Sequence, residues 1–284
     1  EFSKGADVVF LENHGVCVGG KNLLEAYQLF ETIEFAAKLD LLSRKIGAPR
    51  ALTTEQLTLW ESRRVPDANV LPTHAAGAAE IALRKEIVQK LHRGCEHALV
   101  FGVAGVCSAR VDETSFLITP DGMDNDLLEE DDLVYVKDGE IKAGKCPAKE
   151  LALHAAIYDK HPEINAIFSA APAHVAAYAS ANQRFETSTV PESYYMLRSV
   201  PTAPFDEFIS SPDTVAGRFS EKTPVVLFEN ARIVTTGNSL FTALDRLEVA
   251  EATAASILTA QDAGKVILLS DAEIQALKTT FHLE

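Results

Sequence analysis

Cysteine is sparse. The four residues at positions 17, 95, 107 and 146 form no CxxC pair, which is too few and too scattered for a disulfide framework and predicts a reducing, cytoplasmic setting. Basic residues are also short: 26 lysines and arginines against 41 aspartates and glutamates leave a net charge of −15. Such a chain repels phosphate backbones, so nucleic acid and anionic membrane surfaces are not expected as partners. No run approaches the roughly 18 apolar residues that span a bilayer, and the N-terminus lacks a basic segment followed by an apolar core. Gly102 and Gly105 open no phosphate loop, because no Gly-Lys-Ser/Thr follows them.

What the chain does have is a long internal repeat. Val8 to Glu61 recurs without a gap at Val225 to Lys278, an offset of 217 residues. Thirteen positions are identical, among them Glu12/Glu229, Asn13/Asn230, Gly20/Gly237, Glu31/Glu248, Glu34/Glu251 and Gly47/Gly264. Two unrelated amphipathic units would share apolar positions but not these polar pairs. The offset far exceeds a solenoid period of about 20 to 50 residues and is the length of a whole domain. The reading is of two copies: residues 1–64 as the C-terminal half of a first domain, 65–79 as a linker with two prolines, and 80–284 as a complete domain. On this reading the chain opens midway through its first copy.

Local patterns fill in the elements. Val8 to Val18 reads as a buried strand ending at Gly19-Gly20. Asn22 can cap a helix whose Ala26, Phe30, Ile33, Ala37 and Leu41 form one apolar face up to Gly47. Ala243, Leu247, Ala250, Ala254 and Leu258 repeat that face. Thr53 and Ser270 each open a short helix by N-capping. In the complete domain a helix over 78–99 leads to strands near 108–111 and 116–119. A hairpin is signalled by Asp138-Gly139, then come helices near 148–160, 173–181 and 213–222 with a strand at 164–170. The acidic stretch 124–132 reads as a solvated loop or helix start. Without a regular βαβ rhythm, the expected fold class is α/β of the α+β-like kind: a mixed, mostly antiparallel central sheet flanked by helices.

Several motifs then line up in order. Val103 to Arg110 reads VAGVCSAR, and Thr119-Pro-Asp-Gly122 follows it. Pro147-Ala-Lys-Glu150 precedes His154, Ile164-Asn-Ala-Ile-Phe168 runs into Ser169-Ala-Ala171, and Asn13-His14-Gly15 pairs with Asn230-Ala231-Arg232. This order resembles the class II aldolase/adducin family, in which the corresponding segments read TxGNxSxR, TPxG, PSSE, HxH and NHG. The resemblance covers nearly all of the chain. It implies a class II aldolase-like fold with Zn2+ or another divalent cation held by the HxH pair and the histidine of NHG. Three neutral imidazoles leave a coordination position open, so the cation can hold the enediolate oxygens formed when a bond next to a carbonyl breaks.

Carried over residue by residue, the complete domain has Ser169, Ala171 and Ala231 where the ligands belong, so no metal is expected in 80–284. Val106, Ala148 and Lys149 replace the side chains that would bind an anion. Ser108, Gly105 and Arg110 remain, and packing explains them. Glu150 matches the catalytic acid/base position; without a metal its proton transfer has no partner, which favours a surface or helix-N-terminal glutamate. His14 matches a metal ligand on condition that the missing part of the first copy, which should hold its partners, is supplied by the parent protein or by another chain; as a lone histidine it reads instead as a satisfied core residue near a strand end. His92, Cys95 and His97 do not share one helix face, and Glu150 with His154 lacks a third ligand.

The resemblance therefore points to part of a tandem protein. Its parent is expected to be a metal-dependent aldehyde-lyase on a ketose phosphate or related hydroxy-carbonyl compound, with the second domain a degenerate scaffold. This chain alone is expected to be inactive. The family resemblance also implies self-association as a cyclic homo-oligomer. The rival expectation is a non-catalytic assembly module of the adducin kind; an HxH about 60 residues ahead of His14 would separate the two.

Overall fold

The structure is a computed structural model that describes residues 5–65, 69–71 and 74–283. Its first unit departs from the expectation of one buried strand over 8–18. Asn13 takes a left-handed φ of 55°, a conformation that asparagine tolerates better than most residues. The chain reverses there, with the His14 amide donating to the Leu11 carbonyl at 3.1 Å. The result is a hairpin of β1 (Val8–Leu11) and β2 (Gly15–Val18), half-buried at most. The long helix α1 (Leu23–Ile46) follows, capped by Asn22, whose side chain accepts from the Glu25 amide. A full capping box at Thr53 and Gln56 starts α2 (Thr54–Ser62).

The predicted linker contains a short strand, β3 (Val70–Leu71), at the edge of the main sheet; residues 66–68 and 72–73 of that linker lie outside the described residues. Helix α3 (Ala78–Glu96) leads to β4 (Gly105–Arg110) and β5 (Ser115–Ile118). The acidic stretch holds two 3-10 turns, and its Asp124 and Asn125 are buried rather than solvated. β6 (Val134–Lys137) and β7 (Glu140–Lys142) form the hairpin signalled by Asp138-Gly139, both at positive φ as a two-residue primed turn requires.

Then come α4 (Leu151–Lys160), β8 (Ala166–Ala170), α5 (Ala173–Ala181), α6 (Pro191–Leu197), β9 (Thr202–Ala203), α7 (Phe205–Ser210) and α8 (Pro212–Ala216). Instead of one helix at 213–222, the chain makes two short ones: Pro212 starts α8, which has ended by Gly217.

The second unit closes the chain as β10 (Val225–Phe228), β11 (Ile233–Gly237), α9 (Leu240–Ala263) and α10 (Asp271–Thr280). β10, β11, α9 and α10 each start 217 residues or close to it after their counterparts. The shared residues do the same work twice. Asn230 repeats the left-handed turn at φ 49°. A Cβ on Gly20 would stand 2.6 Å from the Ala26 amide nitrogen, and one on Gly237 would stand 2.6 Å from that of Ala243, so both helices start against a glycine.

The nine-stranded sheet has the order β3-β7-β6-β5-β4-β8-β11-β10-β9. Among the described strands only β3–β7 and β9–β10 pair in parallel, which bears out the mixed, mostly antiparallel expectation. Side chains alternate between its faces: Cys107, Phe168 and Ile233 pack beneath α3, α5, α6 and α9, while Val106, Ile167 and Val234 pack beneath α4, α7 and α8. Helix α1 lies outside this three-layer body, along α5. No described helix is long and apolar enough to cross a membrane, and all four cysteines are free.

Candidate functional site

The aligned motifs converge at one end of the sheet. Val106 of β4 lies opposite Ser169 of β8, which lies opposite Val234 of β11. The Thr119–Gly122 turn is tied to the segment 146–150 by two amides: Ala148 donates to the Thr119 carbonyl at 3.0 Å and Asp121 to that of Cys146 at 2.9 Å. That segment delivers Glu150 to the N-cap position of α4. The helix-start expectation for Glu150 fits. The surface alternative does not, since the side chain is 5% exposed.

Two guanidinium groups meet this carboxylate. Arg63 Nη2 donates to Glu150 Oε1 at 2.8 Å, and Arg232 Nε lies 3.5 Å from the same oxygen. Arg232 Nη1 also donates to the Ser169 carbonyl at 3.3 Å. Burial alone would raise the Glu150 pKa, but the charges of Arg232 and Arg63 and the hydrogen bond from Arg63 outweigh it and hold the group below its ordinary value. Burial in turn lowers the Arg232 pKa, opposed by Glu150 and reinforced by Arg63. Arg63 arrives from the first unit. It follows the last turn of α2, its guanidinium lies 4.3 Å from the Trp60 ring centroid, and Trp60 leans on Phe205 of α7 at 6.0 Å.

His154, one turn along α4, is fully buried. Its Nδ1 lies 2.7 Å from Ser108 Oγ, which also lies 2.8 Å from the Tyr158 hydroxyl. Burial pushes the imidazole down to about 4, against the pull of Glu150 and with the push of Arg232. Its Nε2 and Ser169 Oγ are buried without a hydrogen-bond partner. Arg110 donates to the Tyr158 carbonyl at 2.8 Å and stacks on the Tyr158 ring, and a Cβ on Gly105 would strike Val100 at 2.4 Å. Ser108, Gly105 and Arg110 therefore have packing roles that need no ligand.

The residues present do not fit a metal. No group of three or more His, Cys, Asp or Glu side chains able to hold an ion occurs among the described residues. Where a cation would need lone pairs, this end of the sheet presents guanidinium donors. The other candidates lie apart. His14 is exposed at the tip of the β1–β2 hairpin with Nδ1 2.8 Å from the Glu12 carbonyl; a donor bond there leaves Nε2 as the lone-pair nitrogen. His92 Nε2 lies 3.2 Å from the Leu128 carbonyl, His97 faces Glu248, and burial, with Asp126 and Asp124 adding to it, pushes the Cys95 thiol up to about 12. Sequence reasoning missed both arginines. Arg232 carried a signal, since a bulky cation stands where the motif has glycine; Arg63 carried none.

Comparison with known proteins agrees with the fold. The family described as "Class II Aldolase and Adducin N-terminal domain" matches residues 1–41 and 85–258. The chain is similar to a 3-oxo-tetronate 4-phosphate decarboxylase of Haemophilus influenzae, 29% identical over 205 residues, covering 69% of this chain and 96% of the relative. It is 28% identical over 212 residues to the L-fuculose phosphate aldolase of the same organism, covering 70% and 95%. Among solved structures it resembles YgbL from Klebsiella pneumoniae, with TM-score 0.63, 27% identity and coverage of 71% and 100%.

Proposed function

Because the chain belongs to the class II aldolase and adducin family, we propose that its complete domain, residues 80–284, is a scaffold that has given up catalysis, and that any lyase chemistry of the parent protein belongs to the first copy. The arrangement of Arg63, Glu150 and Arg232 carries this reading. Cleavage next to a carbonyl needs an electrophile with an open position to take the developing oxyanion. Here the guanidinium donors are turned to Glu150 and to the Ser169 carbonyl. A carboxylate held ionised by two cations is also a weak base, so Glu150 stands at the acid/base position and ties the two units together instead of moving a proton.

The match in two stretches, 1–41 and 85–258, supports a tandem parent. In such a parent His14 would be one ligand of a divalent cation, with zinc the expected ion, and the remaining ligands would come from the rest of the first copy. The relatives' names favour a phosphorylated hydroxy-carbonyl compound as the substrate class. Self-association has support in the fold as well. The face of α1 that carries Phe35 and Ser43 lies toward α5 and the loop before β4, whereas the same face of α9, with Ala252 and Ala260, borders an open apolar groove of about 520 Å³. A surface used head-to-tail once and open once suits a closed ring. The adducin-like alternative of a purely structural module rests on the same loss of ligands.

The test is metal analysis of the purified 284-residue protein together with an assay of ketose 1-phosphate cleavage in added zinc. No stoichiometric metal and no cleavage are expected. One equivalent of tightly held zinc, or turnover, would overturn the scaffold reading.

A further inference from the structure

Apolar side chains that are buried in the second unit are in solvent at the equivalent positions of the first. Leu23 is 87% exposed and Leu240 3%; Phe10 is 73% exposed and Leu227 0%; Leu41 is 66% exposed and Leu258 2%. Tyr27 and Phe30 are likewise exposed where Leu244 and Leu247 are buried. In the second unit these positions are covered by parts of residues 86–224. β8 pairs with β11, and α3 and α6 pack on α9.

The polar residues tell the same story. Glu251 of α9 accepts the His174 and Val175 amides at the start of α5, at 3.1 and 3.0 Å, and sits 2.6 Å from His174 Nδ1. Glu34 is the identical residue at the equivalent place on α1, and it is exposed. A carboxylate suits a helix N-terminus, where unpaired amides point outward. Among the described residues the hairpin edge is open too. Since the Gly19 amide bonds back to Asp7, strand alternation turns the Val16 and Val18 amides away from β1. β11 shows what such an edge receives: Ile233 and Thr235, their equivalents, pair antiparallel with Ala170 and Phe168.

We infer that the exposed face of β1, β2 and α1 seats a polypeptide segment folded like residues 86–224, preceding Val8 in the same natural polypeptide. Its strand equivalent to β8 extends β2, and its helix equivalent to α5 is capped by Glu34. This rests on the tandem reading, and it adds the register: His14 comes to lie beside the end of the added strand, as Ala231 lies beside the end of β8. An uncovered apolar strand edge is otherwise a site of unwanted pairing.

The experiment is hydrogen exchange on the 284-residue chain and on the longer natural polypeptide that contains it, with a hydrophobic dye as second probe. In the shorter chain the Val16 and Val18 amides exchange fast and the dye binds. In the longer one those amides slow by about 100-fold or more, as for strands inside a core, and dye binding falls. The double substitution Leu23→Ser/Leu41→Ser should leave the melting temperature of the shorter chain unchanged and restore fast β2 exchange in the longer one. A longer polypeptide without a segment like 86–224, or one whose β2 amides stay fast, overturns the inference. Protection without lyase activity would sink the enzymatic reading and leave this one standing; activity with an unprotected β2 would do the reverse.

Discussion

The units at 8–61 and 225–278 share a left-handed asparagine turn, a glycine pressed against the first turn of a long helix, a side-chain cap on that helix and a capping box on the next. They differ in what surrounds them. α9 lies within the three-layer body, while α1 rests on that body's outside along α5. Local chemistry therefore decides which elements form, and the neighbouring chain decides what those elements contribute to stability. Even the sequence difference at the hairpin tip follows this division: the first unit has His14-Gly15 where the second has Ala231-Arg232, and only Arg232 meets a partner carboxylate.

The largest predicted effect tests that last difference. Giving the second unit the first unit's residue, Arg232→Gly, leaves Glu150 buried with Arg63 alone. Leaving a buried charge wholly uncompensated costs about 3–5 kcal/mol; with Arg63 still bonded to Glu150, urea denaturation should show a loss near the low end of that range. A variant that unfolds at the native midpoint would mean that Arg232 is not part of the junction. Next, Leu247→Ala should cost about 2–5 kcal/mol, since it empties a fully enclosed site. Phe30→Ala, at the equivalent position of α1, should cost less than about 1 kcal/mol because that ring is already half in water. Equal losses would break the comparison.

Acid should act on the body built around the nine-stranded sheet through His154. Its folded pKa of about 4 lies below the unfolded value of roughly 6.5, so the unfolded state binds more protons between those limits. Stability is thus fully present above pH ~6.5, and about 3 kcal/mol is lost as pH falls toward 4. Glu150, also depressed, adds a loss that begins as pH falls below the ordinary glutamate value, as it protonates and releases Arg63. His154→Gln should flatten the slope between pH 4 and 6.5. A midpoint that still falls as steeply would place the acid response elsewhere.

Much of this molecule was legible in its sequence, for reasons that differ by residue. The Asp138-Gly139 turn and the span of α5 are local matters, and the structure has both. That Ser169, Ala171 and Ala231 cannot coordinate as imidazole does could be read directly, because it is a property of the side chains alone. Arg63 could not be read: it reaches Glu150 across 87 residues of sequence, and only the docking of α2 on α7 brings it there. The hairpin at 8–18 was hidden by its apolar run, although Asn13-His14-Gly15 has the composition of a turn. Burial of the first unit was equally illegible, because the apolar face of α1 predicts a partner without naming one.

The smallest effect sharpens the comparison where the two units should behave alike. Thr53→Ala and Ser270→Ala each remove the side chain that accepts the third helical amide, from Gln56 and Glu273 respectively, and each opens a capping box. Neither following helix has a fully buried residue, so packing should not amplify either loss. About 1 kcal/mol of local helix stability is expected from each, seen as faster amide exchange confined to α2 or α10. They part company in one readout. α2 carries Trp60, the chain's single tryptophan, and hands Arg63 to Glu150. Fraying α2 should therefore change tryptophan fluorescence and weaken the junction with the start of α4, while fraying α10 leaves both unchanged. Identical fluorescence in the two variants would mean that Arg63 is held by its ion pair and ring contacts without help from the helix that precedes it.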